Sequence, residues 1–199
     1  EKIRLRRNAG RQITVFISSP GDVIPERQIV KMVLGRLNDE FAGRALLVPI
    51  LWEDEPLLVT ETFQAQIHPP RDADIYLGIL WSRIGSPLPP KICRADGTPY
   101  ESGTVFEFED ALVGHQTTGK PEMLLYLKSG FPEMSLGDRD AILGRLEQIR
   151  LLTDYRERML MGKDGTYTAA FHMFETFDQF KKMLDTHLRK LVLSILERR

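Results

Sequence analysis

The stretch Ile13-Thr14-Val15-Phe16-Ile17, followed by Ser18-Ser19-Pro20-Gly21-Asp22, decides the fold of this chain. A run of strand length, apolar except for Thr14, ends in a turn, and Asp22 stands where it can cap a following helix. That helix is predicted because apolar residues recur at intervals of three and four: Ile29, Val30, Val33, Leu34, Leu37 and Phe41. A buried strand, a turn and an amphipathic helix are the first unit of a parallel sheet covered by helices.

The same alternation continues along the chain. Further strands are predicted over 46–51, 74–80, 123–127 and 167–174, and helices near 62–67 and over 104–115, 138–152 and 176–198. Residues 81–102 are rich in glycine and proline, which predicts a long loop. We therefore expect an α/β fold of three layers around a parallel sheet of about five strands in flavodoxin-like order. Residues 13–17 are expected at its centre, and a ligand cleft at its carboxyl edge.

Length and composition limit the domain organisation and the classes of partner. The 199 residues are 42% hydrophobic and 28% charged, which fits one globular domain or one domain with an appendage. Residues 1–11 carry five basic side chains and are predicted to be a solvated tail, and 12–199 to be the domain. Apolar residues are spread around the helix over 176–198, so its apolar surface must be covered. The helix either packs on the sheet or leads into a further domain.

Charge and cysteine content give expectations about environment. Lys and Arg number 27 against 28 Asp and Glu, so no global field favours nucleic acid or an anionic membrane. Cys93 is the single cysteine, which excludes an internal disulfide and fits a reducing, cytoplasmic setting. No apolar run approaches the roughly 20 residues that span a bilayer.

Glu107 is the strongest candidate for chemistry, and two interpretations stay open. Thr104 and Glu107 have the Thr-x-x-Glu spacing of a capping box, in which each side chain bonds a backbone N–H at a helix start. The same turn can instead present Glu107 into a cleft at the carboxyl edge of the sheet. A carboxylate there can act as a nucleophile, or stabilise an oxocarbenium-like centre, during cleavage of a glycosidic bond.

Three segments carry a resemblance to a known family. Val15-Phe16-Ile17-Ser18-Ser19-Pro20-Gly21-Asp22, with Glu26-Arg27 after it, resembles the opening signature of a TIR-like family usually found N-terminal to NACHT and STAND NTPases. Gly103-Thr104-x-x-Glu107-Phe108-x-x-Ala111 resembles its second signature, and Phe174-Glu175-Thr176-Phe177-x-x-Phe180 its last strand and helix. The likeness spans residue 13 to about 190 and implies the TIR fold. The second signature is also similar to that of nucleoside deoxyribosyltransferases, whose Glu is the glycosidic nucleophile.

The resemblance implies a function for Glu107. TIR domains with activity cleave NAD between nicotinamide and ribose with a Glu at the matching position. The expectation is an NAD glycohydrolase effector in immune or antiphage signalling, active on oligomerisation, with a sensor or NTPase partner or fused domain. NAD is then the substrate, and neither a cofactor nor a metal is required. The alternatives are a non-catalytic TIR-like module that self-associates, and a nucleosidase or deoxyribosyltransferase-like enzyme.

Residues near the strand ends are the predicted substrate contacts. Backbone N–H groups around Ser18, Ser19 and Gly21 suit a phosphate or a ribose hydroxyl, although a tight capped turn explains them equally. Arg27 either meets a phosphate or pairs with a neighbouring element. Trp81 either stacks on nicotinamide or adenine, or packs in the core. Ser82 and Thr104 complete the set.

The remaining predictions concern loops and other polar residues. The loop from Trp52 to Thr60 matches the assembly loop of the TIR family, but its acidic residues 53–55 also suit a plain solvated loop. Glu109 lies about 200° around the helix from Glu107 and is predicted to be solvated. The histidines have no metal-ligand spacing: His68, His115, His172 and His187.

Overall fold

Strands and helices alternate along most of the described part of the chain. The structure, a computed structural model, describes residues 10–51, 68–133, 137–160 and 169–198. The elements are β1 (Arg11–Ser18), α1 (Ile24–Glu40), β2 (Ala45–Ile50), β3 (Ile75–Leu80), α2 (Gly103–Thr118), β4 (Glu122–Lys128), α3 (Arg139–Leu160), β5 (His172–Phe174) and α4 (Phe177–Glu197). A 3₁₀ turn at Pro70–Asp72 precedes β3.

Within the described ranges, the sheet has five parallel strands in the order β2-β1-β3-β4-β5, which confirms the predicted flavodoxin-like fold. Val15 pairs with Ile75 across β1 and β3, and Ile75 with Glu122 across β3 and β4. β1 is an interior strand, but β3 is the middle one, so the expectation that residues 13–17 lie at the centre is wrong by one strand. β3 is buried along its entire length because helices cover both of its faces.

Two helical layers enclose the sheet. On one face, residues of α1 and α4 such as Val30 and Leu184 form one core with Ile17 and Leu77. On the other face, Val105 of α2 and Leu152 of α3 pack against the strands. All six periodic residues predicted for α1 are buried. Three-layer packing follows from these apolar stripes.

Some boundaries differ from those predicted. β5 covers only His172–Phe174, and α3 continues to Leu160 rather than ending near 152. Asp22 does not cap α1, whose N-cap is Val23 without a side-chain hydrogen bond. The predicted helix near 62–67, the loop from Trp52 to Thr60 and the segment 1–9 of the predicted tail lie outside the described residues.

The α4 helix packs on the sheet, as one of the two alternatives predicted. Phe180, Leu188 and Val192 are fully buried on the core with β1 and β3. The side chain of Arg11, at the start of β1, donates a hydrogen bond of 2.5 Å to the carbonyl of Ile195. Of the helices in the described ranges, none combines the length and apolar character needed to cross a bilayer.

The Ser102 side chain ties the start of α2 to the loop that follows β3, and its loss is expected to destabilise the fold. Its Oγ accepts from Val105 N at 3.2 Å and donates to the carbonyl of Ile84 at 2.5 Å. Ser102→Ala removes a cap and leaves a buried carbonyl unpaired, so we expect a loss of about 2 kcal/mol in the free energy of unfolding. Thr176→Ala, at the exposed cap of α4, is the matched control and should cost about 1 kcal/mol. Urea denaturation of both variants measures the difference, and equal losses would contradict a special role for Ser102.

Candidate active site

The carboxyl ends of β1 and β3 meet the start of α2, and this junction positions Glu107. Parallel strands present their carboxyl ends at one edge, where α/β folds bind ligands. Ser102 caps α2 and has Val105 as its hydrogen-bond partner, so Glu107 falls in the second turn of the helix. Ser18 Oγ donates a hydrogen bond of 2.5 Å to Glu107 Oε2. The predicted capping box between Thr104 and Glu107 is therefore wrong, and the Glu107 carboxyl faces the strand end.

Burial controls the acidity of Glu107. The residue is 7% exposed, and removal from water raises its pKa from 4.5 to about 7, while the hydrogen bond from Ser18 lowers it. Tyr76, fully enclosed in β3, has its pKa raised well above 10.0 by burial and also by the nearby charge of Glu107. A carboxyl that titrates near neutral pH in a cleft is a candidate for catalysis.

A solvent-open cleft borders Glu107 on one side. It spans about 1060 Å³ including its mouth, and its walls include Ser19, Gly21, Thr104 and the loop around Gly85. Ser19 Oγ is buried and has no hydrogen-bond partner among the described residues, so it is available to a ligand hydroxyl. Gly85 has φ +111°, and a Cβ there would lie 2.9 Å from Thr104 Oγ1. Only glycine lets this loop approach α2 so closely.

A second cavity also borders Glu107. It spans about 720 Å³ and is walled by Phe16, Phe106, Pro69 and Pro70, with the Arg71–Asp110 ion pair at its margin. Asp110 Oδ2 also accepts from Arg71 N at 2.9 Å, so both charges of the pair are satisfied. Glu107 thus lines both the cleft and this second cavity.

The structure separates the predicted contact residues into two groups. Ser19, Gly21 and Thr104 line the cleft with Glu107. Ser18 is fully buried and does not line the cleft; its contact with the site is the hydrogen bond that it donates to Glu107. Arg27, for which contact with a phosphate was one of two alternatives, is 2% exposed and does not line the cleft.

Trp81 and Ser82 also do not line the cleft. Trp81 Nε1 donates to the carbonyl of Gly130, and Lys128 Nζ lies 4.0 Å from the centre of its ring. The same Lys128 pairs with buried Glu26 at 2.7 Å, so Trp81 belongs to a structural cluster. Ser82 Oγ donates to Asp22 Oδ2 at 2.8 Å, and Ser82 N donates to the same oxygen. Asp22 therefore ties the ends of β1 and β3 together, which explains why it does not cap α1.

The prediction that Glu109 is solvated is wrong, because its carboxylate forms an ion pair. Arg94 donates to both of its carboxylate oxygens, at 2.8 and 2.7 Å, and also binds Glu101 at 2.7 Å. These ion pairs hold the loop between β3 and α2 on the helix. Bidentate pairs between arginine and carboxylate have a fixed geometry, so they order the loop whose other end lines the cleft.

Sequence reasoning missed three residues at this junction. Ser102 stands directly before the Gly-Thr motif. Serine is a preferred N-cap residue, so Ser102 could have been predicted as the N-cap of α2 in place of Thr104. Tyr76 carries no sequence signal, because it lies within a continuous apolar strand. Arg83 follows Trp81 and Ser82, and only its position on the cleft wall distinguishes it from other surface arginines.

No protein-family model and no curated protein sequence matches this chain. A solved structure of pro-Sf-caspase-1 is 13% identical to it over 65% of this chain and 55% of that one, with a TM-score of 0.25. A likeness this distant implies neither a shared architecture nor a shared chemistry.

Proposed function

We propose that this chain is a TIR-like effector domain that hydrolyses the N-glycosidic bond of NAD when several copies are clustered. The observation that carries the proposal is Glu107, a buried carboxyl held by Ser18 at the border of two cavities. The resemblance of the segments around Ser18 and Glu107 to TIR-like signatures supports the choice of NAD. A role in immune or antiphage signalling, with a sensor or NTPase partner, belongs to the same proposal.

The reaction needs one well-placed anion. The bond between the nicotinamide nitrogen and ribose C1′ breaks, and its electron pair leaves with neutral nicotinamide. Water then forms a bond to C1′ and releases a proton. The Glu107 carboxylate stabilises the positive charge that develops on the ribose, and no general acid is needed because the leaving group is neutral.

The two cavities suit the two products of this cleavage. The aromatic walls formed by Phe16 and Phe106 suit the flat nicotinamide ring. The cleft with the free hydroxyl of Ser19 suits the ribose and the groups attached to it. Since Glu107 borders both cavities, a substrate that occupies them together brings its glycosidic bond to the carboxylate.

The test is forced oligomerisation of the domain, followed by incubation with NAD and with nucleosides and chromatographic separation of the products. Nicotinamide released from NAD by the clustered sample is the expected result. Nucleobase released from nucleosides, with NAD intact, would point instead to a deoxyribosyltransferase-like enzyme. Assembly without either product would favour the non-catalytic module.

Ser18→Ala is expected to move the pH dependence of NAD cleavage. The hydrogen bond from Ser18 lowers the pKa of Glu107, so its loss raises that pKa and leaves less carboxylate near neutral pH. We expect the rate near neutral pH to fall about tenfold, with partial recovery in alkaline buffer. The rate of nicotinamide release across a pH series measures this shift.

Ser82→Ala is the matched control for Ser18→Ala. Ser82 is another buried serine at a strand end, but its hydroxyl donates to Asp22 and not to Glu107. Its pH at half-maximal rate should equal that of the parent. If Ser18→Ala also kept the parent's pH profile, Ser18 would not control the ionisation of Glu107.

A further inference from the structure

Arg83 and Arg145 differ from most arginines in the described part of the chain. Several other arginines are committed to carboxylates, among them Arg71, Arg94 and Arg158. Arg83 and Arg145 are only partly exposed, yet neither forms an ion pair or a hydrogen bond with any described residue. A half-buried guanidinium without a carboxylate is available to an external anion.

The two arginines line two neighbouring cavities that share Arg83, and the first of these cavities also contains Glu107. Arg83 lines the cleft that contains Ser19 and Glu107, and it also lines a neighbouring cavity of about 640 Å³. Arg145 and Gln148, both on α3, line that neighbouring cavity. Gln148 Oε1 accepts a hydrogen bond from Ile84 N at 3.2 Å, which fixes α3 against the loop that follows β3. The position of Arg145 relative to Arg83 is therefore set by ordered elements.

The two cavities differ in the charges of their lining residues. Glu107 is the single carboxylate among the described residues that line the cleft, and the neighbouring cavity has none. Gly144, beside Arg145, adds no side chain to the wall, and a Cβ built there would meet nothing within 4 Å. Among its described lining residues, the neighbouring cavity therefore carries two arginines and no acid.

We infer that Arg83 and Arg145 form an anion subsite for the phosphate groups of a nucleotide substrate whose glycosidic bond lies at Glu107. The guanidinium group is suited to phosphate because it can donate two parallel hydrogen bonds. Arg27, the basic residue that the sequence proposed for this role, does not line the cleft, so Arg83 and Arg145 supply the positive charge instead. This inference rests on the proposed function. It narrows the substrate class to phosphorylated nucleosides and dinucleotides, and it disfavours nucleosides without phosphate.

The kinetic test compares two substrates that share the glycosidic bond, one with phosphate groups and an adenosine and one without them. NAD and nicotinamide riboside are given to clustered samples of the parent, Arg83→Gln, Arg145→Gln and the double variant. We expect the double variant to raise KM for NAD roughly 10- to 100-fold with kcat nearly unchanged, and to leave turnover of nicotinamide riboside at the parent rate. Equal losses on both substrates, or an unchanged KM for NAD, would overturn the subsite. Arg139→Gln, at the exposed start of the same helix, is the matched control and should behave as the parent.

A binding measurement separates failure of the subsite from failure of the proposed reaction. ADP-ribose is titrated into the parent, the double variant and Glu107→Gln by calorimetry. The subsite requires that the parent and Glu107→Gln bind ADP-ribose and that the double variant binds it at least about tenfold more weakly. Equal affinity in the parent and the double variant, or absence of binding to the parent, would overturn the subsite. Binding with this pattern but without nicotinamide release would keep the subsite and reject the hydrolase.

Discussion

Glu107→Gln is expected to abolish NAD cleavage by the clustered domain, with a loss of at least about 10² to 10³ in kcat. Glutamine keeps the size of the side chain, and its carbonyl can still accept the hydrogen bond that Ser18 donates. What it removes is the negative charge next to the developing oxocarbenium ion. The helix start is unaffected, because Ser102 and not Glu107 caps α2. Nicotinamide release at about pH 8, above the pKa of Glu107, measures the effect.

The control for this variant has to remove a carboxylate without disturbing the cleft. Glu109, on the same helix, is unsuitable because its pairing with Arg94 orders the loop that lines the cleft. Glu147 is an exposed residue of α3 paired only locally with Arg150, so Glu147→Gln should keep the parent rate. If Glu107→Gln turned over NAD as fast as the parent, the assignment of the active site would be rejected. If parent and variant both assembled and neither released nicotinamide, the interaction module would be the better interpretation.

The same substitution is expected to stabilise the fold, by an amount that grows with pH. Burial raises the pKa of Glu107 from 4.5, its unfolded value, to about 7 in the folded protein. Between these values the folded chain holds a proton that the unfolded chain has lost, so stability falls as pH rises through this window. The parent therefore loses about 3 kcal/mol of unfolding free energy by about pH 8, and the glutamine variant avoids this loss.

Urea denaturation at several pH values tests this second effect. The stability difference between Glu107→Gln and the parent should be small near pH 4.5, where the carboxyl of the parent is protonated in the folded state. It should increase steadily up to about pH 8 and then level off. Glu147→Gln should show no such increase, because Glu147 is exposed and its pKa is lowered by Arg150 rather than raised by burial. A stability difference that did not change with pH would mean that folding does not raise the pKa of Glu107.

The two expectations together indicate why a folded protein would keep Glu107. A buried, partly ionised carboxyl costs stability, and a purely structural position favours a neutral side chain. Variants that gain stability and lose activity identify residues whose geometry serves function. A stability gain without an activity loss would identify Glu107 as a structural defect instead.

Much of the fold could be predicted from the sequence because it depends on local periodicity. The alternation of strand-length apolar runs with helical spacing at residues 29–41 specified a parallel sheet between helical layers, and the observed strand order agrees. The cap at Thr176 was also predictable, since its hydrogen bond to Gln179 spans three residues. These features depend on residues that are close together in the chain, so the sequence alone is enough to predict them.

The roles of individual polar residues were decided by the tertiary structure. The sequence allowed Glu107 to be either a cap residue or a cleft residue. In the folded protein the end of β1 places Ser18, 89 positions earlier, within hydrogen-bond distance of Glu107. Asp22 was expected to cap α1, but it binds Ser82 across the sheet, 60 positions away. Long-range contacts select one partner from several that local spacing allows, because a buried polar group must bond whatever the fold places beside it. The sequence by itself therefore determined the layers and most elements of this protein, while the packed sheet edge determined which side chains reach the cleft.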